Sequence, residues 1–185
     1  MDTWVWIVIA VVVVALVVIA LVAWSRSRSR GLHNRFGSEY DRTVESADSR
    51  RKAERELRER ESEHDELDLR PLTDSARERY EHQWDSLQSS FVDRPQVAVA
   101  DADDLLTQVM RDRGYPVDDF EAKSRLVSVD HPDVVENYRK GHGIYLKTVQ
   151  GSASTEDLRQ AVISYRALFE ELVKQGAEPG AASNN

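Results

Sequence analysis

The chain has 185 residues, of which 31% are charged, with a formal net charge of -8 and no cysteine. The lack of cysteine excludes disulfide bonds, thiol nucleophiles, iron–sulfur clusters and cysteine-based zinc sites. The acidic balance argues against nucleic acid as a partner, because the overall charge repels phosphates.

An uninterrupted apolar run occupies Val5 to Ala23, without a charged residue, glycine or proline. As a helix, its 19 residues would extend about 28 Å, which matches the hydrocarbon core of a bilayer. Tryptophans, which favour the headgroup zones, flank the run: Trp4, Trp6 and Trp24. The start of the chain lacks the basic residues and small-residue cleavage site of a signal peptide. We therefore predict a transmembrane anchor at residues 1–24, with the lipid bilayer as a partner.

The flanking charges predict the orientation of this anchor. Asp2 is the only charged residue before the run, whereas basic residues follow closely after it: Arg26, Arg28, Arg30 and Arg35. Basic flanks resist translocation, so we expect the N-terminus outside and the C-terminal domain in the cytoplasm. Residues 25–36 are interpreted as a juxtamembrane linker whose arginines attract anionic headgroups by about 1 kcal/mol each. An RNA-binding arginine–serine segment is the weaker interpretation, because the rest of the chain is acidic.

Residues 37–70 are predicted to form a charged stalk helix. Six basic and seven acidic side chains lie between Arg50 and Glu66, and opposite charges recur four residues apart, as in Arg50 with Glu54 and Lys52 with Glu56. Such pairs stabilise a solvated helix by about 0.2–0.5 kcal/mol each. A coiled coil, and with it a homo-oligomer through the stalk, is the alternative. A sustained apolar heptad is missing, and the anchor has no GxxxG motif.

Residues 71–176 are predicted to fold as a bundle of about four helices, which makes the chain all-α. Pro71 ends the stalk, and Gly114 and Gly176 end later helices. Regularly spaced apolar residues mark the helices, and the region from Val117 to Val129 shows only a weak pattern that fits a short helix or a folded loop. The expected helix starts are Thr73, Asp74 or Ser75; Asp93 with Pro95; Asp130 with Pro132; and Ser154 or Thr155. The tail, 177–185, is predicted to be disordered.

No pattern in the sequence indicates catalysis, a metal or a cofactor. There is no phosphate-binding glycine loop, no GxSxG elbow and no EF-hand, and no two histidines lie three or four residues apart. The carboxylate pairs Asp103–Asp104 and Asp118–Asp119 are adjacent, so in a helix their side chains would point apart, and we expect Asp118 and Asp119 in a first helical turn. His142 lies on an apolar face and is expected to be a hydrogen-bonded core residue.

Several phrases resemble an uncharacterised family of bacterial, largely actinobacterial, single-pass membrane proteins that are often described as secreted. They are RFGSEYDR from Arg35, FVDRPQVAVADAD from Phe91, RGYP from Arg113, DHPDVVENYR from Asp130 and STEDLRQAVISYRALFEEL from Ser154. The resemblance implies a protein of the bacterial inner membrane with a helical domain. It implies no activity, cofactor or catalytic residue.

The sequence favours an interaction or scaffold module held at the inner membrane. Its partner is an unknown protein, and the side chains singled out for the partner surface are Tyr115, Arg139 and Arg166. One alternative is a small ligand-binding sensor or enzyme with a pocket in the bundle, where Arg139, His142, Tyr145 and Arg166 would converge. A self-assembling stalk protein is the other alternative.

Overall fold

The structure, a computed structural model, describes residues 3–174. Within the first helix, the side chains of residues 3, 5, 7–11, 18 and 21–28 lie outside the described set, as does the chain from 175 to 185. The described chain is all-helical, as predicted. Its helices are α1 (Thr3–Ser46), α2 (Arg50–Asp65), α3 (Asp74–Ser90), α4 (Pro95–Arg113), α5 (Phe120–Asp130), α6 (Val135–Val149) and α7 (Thr155–Lys174).

The predicted anchor lies in α1. Across the residues that the structure describes, no helix combines the length and the apolar character needed to cross a membrane. Trp4, Trp6 and Arg30 are exposed, whereas the side chains of Trp24, Arg26 and Arg28 lie outside the described residues. Gly176 and the predicted tail also fall outside them.

The chain divides into two compact units, Met1–Arg58 and Glu59–Asn185. In the first unit the prediction of one continuous helix over 37–70 is wrong. Gly37 adopts φ 47° and ψ −125° and kinks α1, and the helix then ends at Ser46. The Tyr40 hydroxyl donates to Glu54 Oε1 at 2.9 Å, although a straight helix would separate these two residues by about 21 Å. The chain therefore folds back on itself where a straight spacer was expected.

Glu54 is the polar centre of this fold-back. Its Oε1 accepts hydrogen bonds from Ser29 Oγ at 2.6 Å, from Tyr40 and from Arg50 Nε at 3.0 Å. Burial alone would raise the pKa of Glu54, but the bonds from Ser29, Arg50 and Tyr40 outweigh it and the pKa is lowered. The predicted Arg50–Glu54 pair is thus confirmed, whereas Lys52 pairs with Asp48 at 2.7 Å. Around this network the buried apolar residues of the unit are Leu32, Phe36, Tyr40, Ala53 and Leu57.

The second unit is a bundle in which α7 packs against α4 and α6, α3 packs against α4, and α5 packs against α6. Residues 74–174 contain five helices where about four were predicted, because the weakly patterned region forms α5. The reason the pattern is weak is that α5 buries polar side chains, Lys123, Ser124 and Ser128, beside Leu126 and Val127. The largest fully buried side chains of the bundle are Tyr138, Tyr165, Leu106, Met110, Leu168 and Leu172.

The helix starts follow local capping chemistry in most cases. Thr73 caps α3 by accepting from the Ala76 amide at 3.2 Å, and Asp119 caps α5 by accepting from Ala122 at 2.8 Å. Ser154 and Asp157 bond reciprocally at the start of α7.

Three expected helix-start residues have other roles. Arg94, not Asp93, precedes Pro95 at the start of α4 and makes no side-chain cap. Asp119 lies before the first turn of α5 rather than within it. Asp130 is the last residue of α5, and α6 begins at Val135. A short polar side chain favours the N-cap position of a helix, but several such residues lie near each helix start and only one of them can occupy that position.

Helix α6 runs unbroken through Gly141 and Gly143, and the two glycines provide a matched test of packing. A Cβ at Gly141 would lie 2.8 Å from the ring of Tyr165, whereas a Cβ at Gly143 would meet nothing within 4 Å. Overpacking costs about 1–3 kcal/mol, which exceeds the roughly 1 kcal/mol that alanine gains over glycine in a helix. Gly141→Ala is expected to lower the free energy of unfolding in urea and Gly143→Ala to raise it. Equal effects of the two changes would show that Tyr165 does not limit the approach of α6.

Candidate functional site

Two buried polar clusters and two grooves are the features of the second unit that could carry a function. The first cluster centres on Asp103 of α4. Its Oδ1 accepts a hydrogen bond from the Tyr165 hydroxyl of α7 at 2.6 Å and lies 3.2 Å from Nδ1 of His142 on α6. Asp103 therefore joins the three helices that form the centre of the bundle.

The charge on Asp103 is stabilised inside the fold. Burial alone would raise its pKa, but hydrogen bonds from His142 and Tyr165 outweigh burial, so the pKa of the carboxyl is lowered. The pKa of Tyr165 is raised, first by burial and then by the nearby Asp103 charge. Tyr165 therefore stays protonated and acts as a donor.

The aromatic surroundings of His142 give it a structural role. Its ring stacks on Phe120 with centroids 3.8 Å apart and an 8° interplanar angle, and Tyr145 lies 5.6 Å away. The prediction that His142 is hydrogen-bonded is thus confirmed, but the residue is half-buried at the edge of the core and not inside it.

The second cluster centres on Asp130, at the end of α5. Its Oδ2 lies 2.7 Å from Nε2 of His64 in α2 and accepts from the Tyr115 hydroxyl at 2.8 Å. Burial would raise the pKa of Asp130, but the hydrogen bonds from His64 and Tyr115 outweigh burial, so the pKa of this carboxyl is lowered. Burial raises the pKa of Tyr115, and Asp130 raises it further.

A shallow groove runs between α3 and α4. It has a volume of about 670 Å³, and most of the residues along it are of polar type, with both signs of charge. The charged residues that line it are Arg79, Arg94, Asp101 and Asp104, and His82 and Gln83 lie among them.

A smaller groove, which we call the Trp84 groove, lies between α3 and α7 and encloses about 180 Å³. Trp84 and Phe169 form its floor, with rings stacked 4.6 Å apart at 18°. Among the described residues, the buried indole Nε1 of Trp84 has no hydrogen-bond acceptor. Buried polar groups are nearly always satisfied, so this N–H is an exception within the described part of the fold. The rim consists of Glu81, Asp85, Gln88, Arg166, Glu170, Val173 and Lys174.

The side chains predicted for a partner surface have different environments. Tyr115 is only 3% exposed and bonded to Asp130, so the expectation that it forms an exposed patch is corrected. Arg139 is largely covered and lies 3.5 Å from Glu136. Arg166 is exposed on the rim of the Trp84 groove, 2.7 Å from Glu170. Arg139, His142 and Tyr145, which were expected to converge with Arg166 on one pocket, line neither groove.

Sequence reasoning missed Asp130, His64 and the groove role of Trp84. His64 and Asp130 are 66 residues apart and sit in segments with weak or purely charged patterns, so no local signal pairs them. Trp84 was assigned correctly to a buried stripe. Its indole nitrogen was the overlooked signal, because a tryptophan in a core needs an acceptor. No group of three acidic or histidine side chains in the described part of the chain has the arrangement of a metal site.

Comparison of the chain with family models, curated proteins and solved structures finds no significant match.

Proposed function

We propose that this chain is a membrane-anchored interaction protein whose helical second unit binds a partner protein through the Trp84 groove. The anchor is assigned to residues 1–24 in the inner membrane, with the N-terminus outside and the C-terminal domain in the cytoplasm. The groove, not the buried clusters, is assigned the binding role.

The exposed surface of α1 supports the anchor. Residues 12–17 are six consecutive positions, and at about 100° per residue they cover the whole circumference of a helix. All six are exposed, and Val14 and Leu16 each expose 60% or more of their surface. A helix that is apolar on every side requires an apolar environment, which a bilayer supplies.

The Trp84 groove carries the binding proposal. Tryptophan and arginine dominate the binding energy of protein interfaces, particularly where an apolar floor is surrounded by a polar rim. On this rim Arg166 and Lys174 both pair with Glu170, whereas Glu81 and Asp85 of α3 have no ion-pair partner within the described chain. The uncompensated charge is negative. The partner segment is therefore expected to insert one apolar side chain and carry a basic residue.

The anchor is tested by fractionation. Replacing Val13 and Val14 together with arginine is expected to move the chain from carbonate-washed membranes to the soluble fraction, because each charge at the centre of the span costs about 2.5–3.5 kcal/mol. Val13→Leu with Val14→Leu is the control and should remain in the membrane. External protease added to spheroplasts should leave the C-terminal domain intact. Recovery of the unaltered chain in the soluble fraction would contradict the anchor.

The groove is tested by site-specific photo-crosslinking in intact cells. A photoreactive amino acid at Gln88 is expected to yield one adduct of defined mass with a second protein. Asp85→Lys should reduce the yield about tenfold or more, as expected for a hot-spot residue. The matched control Asp101→Lys reverses a charge in the α3–α4 groove and should leave the yield unchanged. If only Asp101→Lys reduced the adduct yield, binding would be assigned to the α3–α4 groove. An adduct of twice the chain's mass would indicate self-association.

A further inference from the structure

The last turns of α2, residues 59–65, lie on α5 through polar contacts, and we call this segment the clasp. Arg60 Nη1 donates to Ser128 Oγ at 3.0 Å, Arg125 pairs with Glu63, and His64 Nε2 lies 2.7 Å from Asp130 Oδ2. Arg60, Glu63 and His64 are spaced i, i+3 and i+4, so one face of α2 makes all three contacts. The clasp belongs to the second unit, and α2 continues from it toward the N-terminus.

Asp130 is the acceptor on which the clasp depends. Its Oδ2 receives both the Tyr115 hydroxyl and the Nε2–H of His64, because an ionised carboxylate can only accept. His64 is 7% exposed, and its Nδ1 lies 3.6 Å from Asp65 Oδ1. The carboxylate therefore binds the clasp through charge-assisted bonds in a largely desolvated place.

A second histidine adjoins the same carboxylate. His131 is 4% exposed, and its backbone amide donates to Val127 O at 2.9 Å, which fixes the residue at the end of α5. Its Nε2 is buried and has no hydrogen-bond partner among the described residues. The charged groups that act on it come from four helices: His64 of α2, Arg113 of α4, Asp130 of α5 and Glu171 of α7.

The environment of His131 disfavours its charged form. Burial lowers its pKa most, and the charges of Arg113 and His64 lower it further, against the opposing effect of Asp130 and Glu171. Near neutral pH the ring is therefore uncharged. A proton on His131 would place a further positive charge beside Arg113 and His64 and would compete with His64 for Asp130.

We propose that residues 59–65 are a pH-sensitive clasp, which is bound to α5 while His131 is neutral and released when His131 takes up a proton. A histidine whose pKa is lower in the closed state stabilises that state fully above its ordinary value of about 6.5, and the stabilisation is lost as the pH falls below that value. Release would free the last turns of α2 without unfolding the bundle, and it does not depend on the proposed partner groove.

Hydrogen–deuterium exchange of the full chain in detergent micelles tests the clasp, with each rate divided by the intrinsic rate at the same pH. Between about pH 7.5 and about pH 5.5, the protection of amides 59–65 is expected to fall by up to about tenfold, while α7 keeps its protection. Constant protection of the clasp, or a parallel loss in α7, would overturn the proposal.

Two variants and a direct titration complete the test. His131→Gln is expected to give protection that does not change with pH, whereas the exposed control His82→Gln should respond like the unaltered chain. A full response in His131→Gln would refute the role of His131. If that variant does not fold, the titration of His131 by NMR in the unaltered chain decides, because the pKa of His131 must lie below its ordinary value of about 6.5.

Discussion

Replacing Gly114 with alanine is expected to lower the free energy of unfolding of the second unit by about 2–4 kcal/mol. Gly114 ends α4 with φ 96°, a conformation that costs side-chain-bearing residues about 1–2 kcal/mol. A Cβ there would also lie 2.4 Å from the backbone oxygen of Asp68. That backbone is held in place, since Arg70 N donates to Arg113 O at 3.0 Å. Neither side of the contact can move without breaking another bond.

The measurement is urea unfolding of the full chain in mild detergent, followed by near-ultraviolet circular dichroism. Gly151→Ala is the matched control, because Gly151 has φ 68° but its Cβ would meet nothing within 4 Å. Gly151→Ala should lower the free energy of unfolding only by the conformational cost of a positive φ, about 1 kcal/mol. Equal losses of unfolding free energy in Gly114→Ala and Gly151→Ala would show that the close contact with Asp68 does not add to the destabilisation.

Replacing Asp103 with alanine is expected to destabilise the second unit by about 2–4 kcal/mol, because it leaves the buried Tyr165 hydroxyl without its acceptor and removes the partner of His142. The adjacent Asp104 is exposed, so Asp104→Ala should change the stability by no more than about 0.5 kcal/mol. Asp103→Asn keeps an acceptor oxygen but loses the charge. Its loss of stability should therefore lie between those of Asp103→Ala and Asp104→Ala.

The Asp103 contribution should also depend on pH with a defined sign. The carboxyl has a lower pKa in the folded state, so its stabilisation is present above the unfolded value of about 3.9 and is lost as the pH falls through the lowered folded value. The difference in unfolding free energy between the unaltered chain and Asp103→Ala should therefore shrink in strong acid. A difference that is constant with pH would mean that Asp103 acts through its shape and not through its charge.

The Asp103 contacts link distant parts of the chain, and they bear on how α7 is positioned beside the Trp84 groove. Asp103 joins α4, α6 and α7 at the centre of the bundle, and α7 in turn supplies Phe169 and Arg166 to the Trp84 groove. A change at Asp103 is thus expected to weaken partner binding indirectly, through α7.

The sequence by itself determined the all-helical class and several helix ends, because these depend on neighbours within one or two turns. Thr73 begins α3 through a bond to an amide three residues ahead, and Gly114 ends α4 because it can adopt a positive φ. In both cases the physical cause lies within the local pattern of capping and glycine residues.

Only the tertiary structure decided where polar residues meet. The break between α1 and α2 brings Tyr40 to Glu54, and the bundle brings His64 to Asp130 and Tyr165 to Asp103. The sequence around a charged or polar residue is equally compatible with exposure to water and with a hydrogen bond inside the fold. The local pattern therefore does not specify a distant partner. Which of them become buried and bonded depends on helix packing, and the burial of Tyr115 and the exposure of Arg166 follow from the same cause.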